Sequence, residues 1–309
     1  MEGNTFPRHR LDGALTVDLE DWRCALDSDP KADFRNRPKP NEEYLRLSTS
    51  RLLSELEESN AKATFFVLGE VARAVPDVVE EIARRGHEIA SHSPVHLPPR
   101  MIPRDRLEKM ITEDVKLLES LSGKRPFGFR VPYMAINRRD GWLLSLISRN
   151  GFLYDSSVSP TWTPYWGIPS APKSIYYPDL RDIARPAVTQ SILEIPLTVW
   201  PSWRTLPGLP VAGGFYMRAW PTWALTWMLR RNVDKGFPLN LYVHQGNLEF
   251  RKERISSPSI RDRISQYAGL GRGLSSFRAI TAEFRLGTLY EVHKSRIDTL
   301  ARSRLESLT

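Results

Sequence analysis

The chain has 309 residues, 41% of them apolar, enough for one large domain with a sizeable core or for two smaller ones. Its formal net charge of +8 favours anionic partners, but no nucleic-acid-binding motif accompanies that charge, so no nucleic acid is expected as a partner. Cys24 is the only cysteine, which excludes an intrachain disulfide and a cysteine-built zinc site, and no apolar run reaches the roughly eighteen residues of a membrane span.

Met1 to Gly13 is polar and lacks the apolar centre of a signal peptide, so the expectation is a cytoplasmic protein, with the inner face of the membrane as an option. Ala14 to Glu20 then alternates, with Leu15, Val17 and Leu19 on one face and Asp18 and Glu20 together on the other. Two carboxylates on one strand face, followed by Asp21, are costly to bury unless they do chemistry or bind a cation. After Trp22, a polar loop leads to an amphipathic helix over Glu42 to Ser59, with Leu45, Leu52, Leu53 and Leu56 inward. Ala63 to Leu68 is a nearly continuous apolar run, the mark of a strand buried on both faces of a parallel sheet. A helix follows to Arg85, kinked or restarted at Pro76 and closed by Gly86.

Gly86 to His96 holds three of the chain's six histidines. Glu88 to Ser91 reads as a short strand, and Pro94 tolerates only a first helical turn, so His92 and His96 fall where a strand ends and a helical turn begins. Arg104 to Leu121 is a helix closed by Gly123. Phe127 to Val131 is a strand ended by Pro132, and Asn137 is the expected N-cap of a helix through Arg149. Phe152 to Asp155 is a strand. Ser156 to Gln190 has no regular period and carries Trp162, Tyr165 and Trp166, and a loop of that length is usually functional. Ile192 to Val199 is a strand, followed by a second Pro/Gly-rich aromatic stretch to about Met217. Trp220 to Arg231 is a helix with Trp220, Trp223 and Trp227 on one side and a basic end, read first as a barrel-packing helix and second as one lying on a membrane surface. Leu239 to His244 is the last strand, and the rest is basic and largely helical.

Seven strands separated mostly by helices give an α/β fold with a mainly parallel sheet, read as one domain over 1–309 with a core at about 11–250 and a basic helical C-terminal extension at about 251–309. The polar groups gather at strand C-termini: Asp18, Glu20 and Asp21; His92 and His96; Arg130; Asp155; Glu194; and His244. A hydrolytic metal site needs few protein ligands and an open position. His92 and His96 offer imidazoles, and either Glu20 or Asp21 offers a carboxylate. Strand geometry favours Glu20, while its adjacency to Asp21 keeps both open. Asp18 is the candidate base, Arg130 the cation that aims it, His244 the acid for a leaving amine, and the Tyr133 N–H an oxyanion donor. Singly, each has a duller reading: a surface carboxylate pair, a structural ion pair, a satisfied polar histidine. Their shared position at strand ends carries the weight.

These segments resemble the polysaccharide deacetylase family, the NodB-homology carbohydrate esterases, and within it the subgroup associated with exopolysaccharide and exosortase loci. The matching stretches are Thr16–Trp22, Ala63–Gly69, Gly86–His92 with His96, Phe129–Tyr133, Tyr154–Ser157, Glu194–Leu197, Gly213–Tyr216 and Leu241–His244. The resemblance implies a distorted (β/α)7 barrel of NodB-homology type and a divalent metal, most often Zn2+. It also implies hydrolysis of an N-acetyl group on a sugar, with Asp18 as base, His92 and His96 as metal histidines, Arg130 orienting the base and His244 as acid. Two departures stand out. The subgroup usually reads His-Pro-Trp-Glu where this chain has His244-Gln245-Gly246-Asn247. The arginine motif usually has Ala before its proline and Phe-Ser after it, where this chain has Val131-Pro132-Tyr133-Met134-Ala135. Both touch the acyl and sugar pocket, so an altered substrate preference is expected. Tyr133, Trp162, Trp166, Glu194 and Trp200 are the substrate-facing candidates, with Tyr165, Trp203 and Tyr216 as further stacking aromatics. The expected partner is an N-acetylated sugar or glycan, lipid-linked or anionic, with peripheral membrane contact as an option. The competing readings are hydrolysis of a small non-sugar amide or cyclic ureide, and a non-catalytic glycan-binding relative.

Overall fold

The computed structural model describes residues 11–21, 39–163, 166–188, 190–204, 207–248 and 267–306. Seven strands run parallel in the spatial order β11-β1-β2-β3-β4-β5-β8. They are β1 (Gly13–Leu19), β2 (Ala63–Val67), β3 (Glu88–Ser91), β4 (Gly128–Phe129), β5 (Tyr154–Asp155), β8 (Leu193–Glu194) and β11 (Leu239–His244). All seven coincide with runs expected from the sequence. β1 and β2 are buried along their whole length, as their apolar content requires. The result is a curled half-barrel with helices outside. The seam between β8 and β11 is bridged by the chain after β8, where the Thr198 amide donates to the Asn240 carbonyl (3.1 Å) and the Asn240 amide to Thr198 Oγ1 (2.7 Å).

The helices follow their sequence signals closely. Asn41 caps α1 (Glu42–Glu58) by accepting from the Tyr44 amide at 3.1 Å. Pro76 divides the next helical stretch into α2 (Gly69–Ala74) and α3 (Pro76–Arg84), taking the first-turn position where its missing N–H costs nothing. Gly123 ends α4 (Arg104–Ser122) in the left-handed conformation. Two helices start later than their signals. Asp140 accepts from the Asn137 amide (2.9 Å) in a turn, so α5 begins at Gly141 and runs to Arg149. Pro221 precedes α7 (Thr222–Asp234), which leaves Trp220 outside that helix, its indole N–H donating to the Pro210 carbonyl at 3.2 Å. The residues after His92 form bends, and a 3₁₀ turn comes only at Pro99–Met101.

The aperiodic stretch after β5 contains an antiparallel hairpin of β6 (Pro178–Asp179) and β7 (Asp182–Pro186), and a second hairpin pairs β9 (Val199–Trp200) with β10 (Leu209–Pro210). The chain end is more than an extension. After α6 (Gly214–Ala219) and α7 come α8 (Gly273–Glu283), β12 (Leu286–Gly287) and α9 (Leu289–Glu306). β12 pairs in parallel with the first residues of β1. Leu289, Ile297 and Leu300 of α9 pack with Ala14, Phe66, Ala90, Tyr154 and Leu193, sealing the end of the barrel opposite the strand C-termini. Glu88 anchors that seal by accepting from the Tyr154 hydroxyl (2.7 Å) and the Tyr290 amide (3.1 Å).

One buried acid couples the fold to pH. Ser91, the last residue of β3, donates to Asp114 of α4 at 2.8 Å, and burial pushes the Asp114 carboxyl up to about 7 despite that bond and the nearby Arg73. The folded state therefore keeps a proton that the unfolded chain releases near pH 4, so this contribution to stability is complete below pH 4 and is lost as pH rises towards 7. A shift of about three units corresponds to about 4 kcal/mol. Asp114→Asn, compared with the parent by urea unfolding at pH 5 and pH 8, is expected to lose less stability across that interval. An identical loss in both proteins would show that Asp114 does not hold its proton.

Candidate metal and catalytic site

The C-terminal ends of β1, β3, β4 and β11 converge on one cluster. Glu20 follows the last residue of β1, and both His92 and His96 follow β3. Glu20 Oε2 lies 2.7 Å from His96 Nε2 and 3.5 Å from His92 Nε2, and the three ligand atoms lie within 4.8 Å of one another. The His92 Nδ1 faces the Arg130 carbonyl at 3.0 Å, which makes Nδ1 the donor and turns the Nε2 lone pair towards Glu20. Glu20 Oε2 is buried without a hydrogen-bond donor, although it stands this close to two imidazole nitrogens. Lone pairs converging on one point, one of them on an orphaned carboxylate oxygen, suit a divalent cation rather than a hydrogen-bonded triad. Glu20, His92 and His96 are thus a group able to hold a metal ion.

Asp21 is directed elsewhere. Its carboxylate accepts from the Asn41 amide at the start of α1, and it stands outside the histidine cluster. β1 ends at Leu19, but Glu20 still keeps the face set by Asp18, while Asp21 turns towards the helix. Burial would raise the Glu20 carboxyl, but the imidazoles of His96, His244 and His92 facing it outweigh that and hold the group well below its ordinary range.

Asp18 and His244 are direct partners in the β1–β11 ladder. Arg130 reaches Asp18 from the end of β4, Nη1 to Oδ1 at 2.7 Å, and is itself fully buried. His244 Nε2 stands 3.1 Å from Glu20 Oε1, while Asn247 Oδ1 accepts from the His244 amide (2.7 Å) and faces its Nδ1 (3.2 Å). Gln245 donates to the Glu20 carbonyl. The residues that replace the Pro-Trp-Glu of the resembling subgroup therefore hold His244 and Glu20 in place, a role that spacing alone did not reveal. The Gly213-Gly214 pair makes room for them. A Cβ on Gly214 would lie 1.8 Å from Asn247 Oδ1. Gly213, at φ +104°, leaves space for the Tyr242 ring, which a Cβ there would approach to 2.6 Å.

The substrate-facing candidates divide. Tyr133, at φ +58° in the turn after Arg130, has its ring centroid 4.1 Å from that of His96, and Trp166 lies 6.1 Å beyond Tyr133. Those two line the approach to the histidines. Trp162 is 71% exposed on its loop. Trp200 is placed differently: it packs on Trp227 of α7, and Thr198, two residues before it, is level with Asn240, four residues and about 13 Å down β11 from His244. Glu194 is fully buried on the outer side of the sheet, where its Oε1 accepts from the Val158 amide at 3.0 Å, so it is unavailable to a substrate. Burial, followed by the neighbouring Asp155, pushes Glu194 well above the ordinary carboxyl range. Tyr165 lies outside the described residues.

The comparisons fit this geometry. Residues 41–147 match the polysaccharide deacetylase family, and residues 156–294 match a domain of unknown function, DUF3473. About a third of the chain, residues 41–147, is thus similar to the polysaccharide deacetylase family. A peptidoglycan-N-acetylglucosamine deacetylase of Bacillus cereus is 36% identical over 85 residues, 28% of this chain and 31% of that protein. The chain spans about a third of the length of the curated relatives of this kind. Among solved structures, a putative polysaccharide deacetylase from Mycobacterium smegmatis superposes with a TM-score of 0.59 at 19% identity, covering 97% of this chain and 94% of that one. The PuuE allantoinase does so at 0.57 and 15%, covering 94% of each. At these identities the two structures share the fold. The match to the deacetylase family takes in His92, His96, Arg130 and Tyr133, and the DUF3473 match takes in Ser156, Glu194 and His244. β1, with Asp18 and Glu20, precedes both.

The two candidate carboxylates at the end of β1 separate by experiment. Glu20→Gln is expected to weaken zinc affinity by at least roughly tenfold, measured by competition with a chromogenic chelator. Asp21→Asn is expected to retain the metal and lower thermal stability instead, through its lost bond to Asn41. The reverse pattern would make Asp21 the ligand.

Proposed function

We propose that the protein is a metal-dependent N-deacetylase of an N-acetylated sugar in a glycan or glycan precursor. The observation that carries this reading is the Glu20, His92 and His96 cluster beside the Asp18–Arg130 ion pair, with His244 opposite Asp18 in the strand ladder. Because β1, the deacetylase match and the DUF3473 match each contribute to that one site, the chain is read as a single catalytic domain.

Glu20, His92 and His96 would hold zinc or a similar divalent cation, which would supply the Lewis acidity that lowers the pKa of water and polarises an acyl carbonyl. Asp18 takes the proton of the attacking water. Arg130 engages its Oδ1, so the second carboxylate oxygen is the one to receive that proton. The turn that carries Tyr133 presents its N–H to the oxyanion as the carbonyl becomes tetrahedral. His244, with both ring nitrogens facing oxygens, has the doubly donating arrangement of a general acid. As the carbon–nitrogen bond breaks, it gives a proton to the leaving amine. Acetate and a free amino sugar are the products; the proton on Asp18 returns to solvent, and His244 regains one from solvent.

The rings of Tyr133 and Trp166 offer faces for a sugar next to the histidines, which supports a sugar amide over a small non-sugar amide. The chain's +8 charge favours an anionic form of that sugar, such as a nucleotide- or lipid-linked cytoplasmic precursor.

The test is acetate release from a panel of N-acetylated sugars, with chelator and with zinc added back. Activity is expected to vanish with chelator and to return with zinc. Asp18→Asn is expected to lower kcat by about 10²- to 10⁴-fold while keeping the metal. A zinc-loaded protein inert across free, nucleotide-linked and oligomeric N-acetyl sugars would count against the reading.

A further inference from the structure

Away from the metal cluster, one surface carries more exposed aromatic area than packing requires. On α7, Trp223 is 76% exposed and Trp227 is 48% exposed. They are four residues apart and so project from one side of the helix. The patch continues off the helix. Trp227 meets Trp200 at 5.4 Å between centroids, Trp200 meets Trp203 at 6.5 Å, and Leu209 pairs with Trp200 across the β9–β10 hairpin. Trp203 and Leu209 are themselves 36% and 46% exposed. Scattered exposed apolar residues are ordinary, but a contiguous group of them marks a binding surface.

The charges beside the patch indicate what it meets. Continuing the same four-residue step along α7 from Trp227 leads to Arg231 and then Lys235, both exposed. The Arg231 guanidinium stands 5.9 Å from the Trp227 ring. Arg230, on the neighbouring side, is neutralised by Glu283 at 2.8 Å, whereas neither Arg231 nor Lys235 is ion-paired among the described residues. The patch thus presents indoles along one ridge and, at its end, two cations, Arg231 and Lys235, against one exposed acid, Asp234. Indoles settle at the boundary between lipid headgroups and acyl chains, where the ring is buried and the N–H stays wet. Lysine and arginine beside them attract anionic headgroups. A glycan-stacking role fits less well, because the chain leading into Trp200 is tied to the start of β11 and the end of α7, through Thr198 to Asn240 and Val199 to Asn232, rather than to His244.

We propose that this face of α7 and the β9–β10 hairpin docks the protein on a membrane surface bearing anionic lipids, with Trp223 and Trp227 entering the headgroup boundary and Arg231 and Lys235 meeting the phosphates. The docking is peripheral: no helix among the described residues is long and apolar enough to cross a membrane. It is independent of the deacetylase reading, since none of these four side chains touches the metal cluster.

The test is flotation of the full chain with vesicles of phosphatidylcholine alone or mixed with phosphatidylglycerol, with tryptophan emission followed alongside. Binding to the mixed vesicles with a blue shift is expected, weakening as salt is raised. Trp223→Ala/Trp227→Ala is expected to bind at least roughly tenfold more weakly while keeping its far-ultraviolet spectrum. Arg231→Glu/Lys235→Glu is expected to remove the preference for phosphatidylglycerol. The proposal is overturned if the parent does not float with mixed vesicles, or if the double tryptophan variant floats equally well. It is also overturned if that variant instead loses a concentration-dependent dimer, or quenching by a chitooligosaccharide, without change in vesicle binding. Those last outcomes would assign the patch to a second copy of the chain or to a glycan.

Discussion

A guanidinium with no access to solvent governs this site. Arg130 donates from Nε to the Ser156 carbonyl (2.9 Å), from Nη2 to Ser156 Oγ (2.9 Å), and from Nη1 to both Thr16 Oγ1 (2.8 Å) and Asp18 Oδ1 (2.7 Å), with the Phe66 ring 4.1 Å from its centre. A charge that deep survives only if its donors are used, and removing one partner of such a pair costs about 3–5 kcal/mol. The partners come from β1 and from the residues after β5, so the charge ties three strand ends together. Its main chain contributes as well. The carbonyl of the same residue accepts from His92 Nδ1, so one residue aims the candidate base with its side chain and a candidate metal ligand with its backbone. The two halves of the proposed chemistry are therefore held at a fixed separation, which is the preorganisation hydrolysis needs.

The strand end that follows β5 extends this control to the opposite face of the sheet. Ser156 points inward to Arg130. Ser157, one residue on, points outward, donating to Asp155 Oδ1 at 2.7 Å and accepting from the Val131 amide at 2.8 Å. Beside it, Asp155 and Glu194 are buried together, and burial raises both carboxyls. Glu194 Oε2 has no donor of its own, so a proton shared with Asp155 is the arrangement that satisfies the pair. That neutral-plus-anion unit fixes Ser157, and Ser157 fixes the residue that enters the Tyr133 turn. The left-handed backbone at Tyr133 and Met134 is thus held from behind by buried hydrogen bonds.

The legible part of this protein was what period and punctuation encode. The alternation of β1 put Asp18 and Glu20 on one face, and the apolar run of β2 announced a strand covered on both sides. Pro76 and Gly123 set helix boundaries as their backbone restrictions require. The choice between Glu20 and Asp21 stayed open in the sequence because both lie past the end of β1, where the ladder no longer enforces the alternation and the Asp21 contact with Asn41 has no local signal. Glu194 misled because β8 contributes only two residues to the sheet, too few for a period to reveal which one faces the barrel. Trp200 misled because the chain after β8 turns back down the seam towards Asn240 instead of rising over the strand ends, a path set by long-range hydrogen bonds. β12 was hidden for the same reason: two residues have no signature of their own and become a strand only by pairing with β1.

The altered segment after His244 shows why a departure from a family pattern is not simply a loss. An acidic side chain at position 247, if it engaged His244 as Asn247 does, would set the imidazole between two carboxylates, Glu20 on one nitrogen and itself on the other. Asn247 supplies the same acceptor oxygen without a charge, so Glu20 remains the only anion on the ring, and its lone pairs are still available to a cation. The accommodation is local and coupled. Asn247 fits because Gly214 has no side chain, and Gln245 reaches the Glu20 carbonyl from the turn that follows β11. Among the described residues, the aromatic rings beside His92 and His96 are Tyr133 and Trp166. The departure in sequence thus bears on how His244 and Glu20 are held, above the buried framework of Arg130, Asp18 and the histidines.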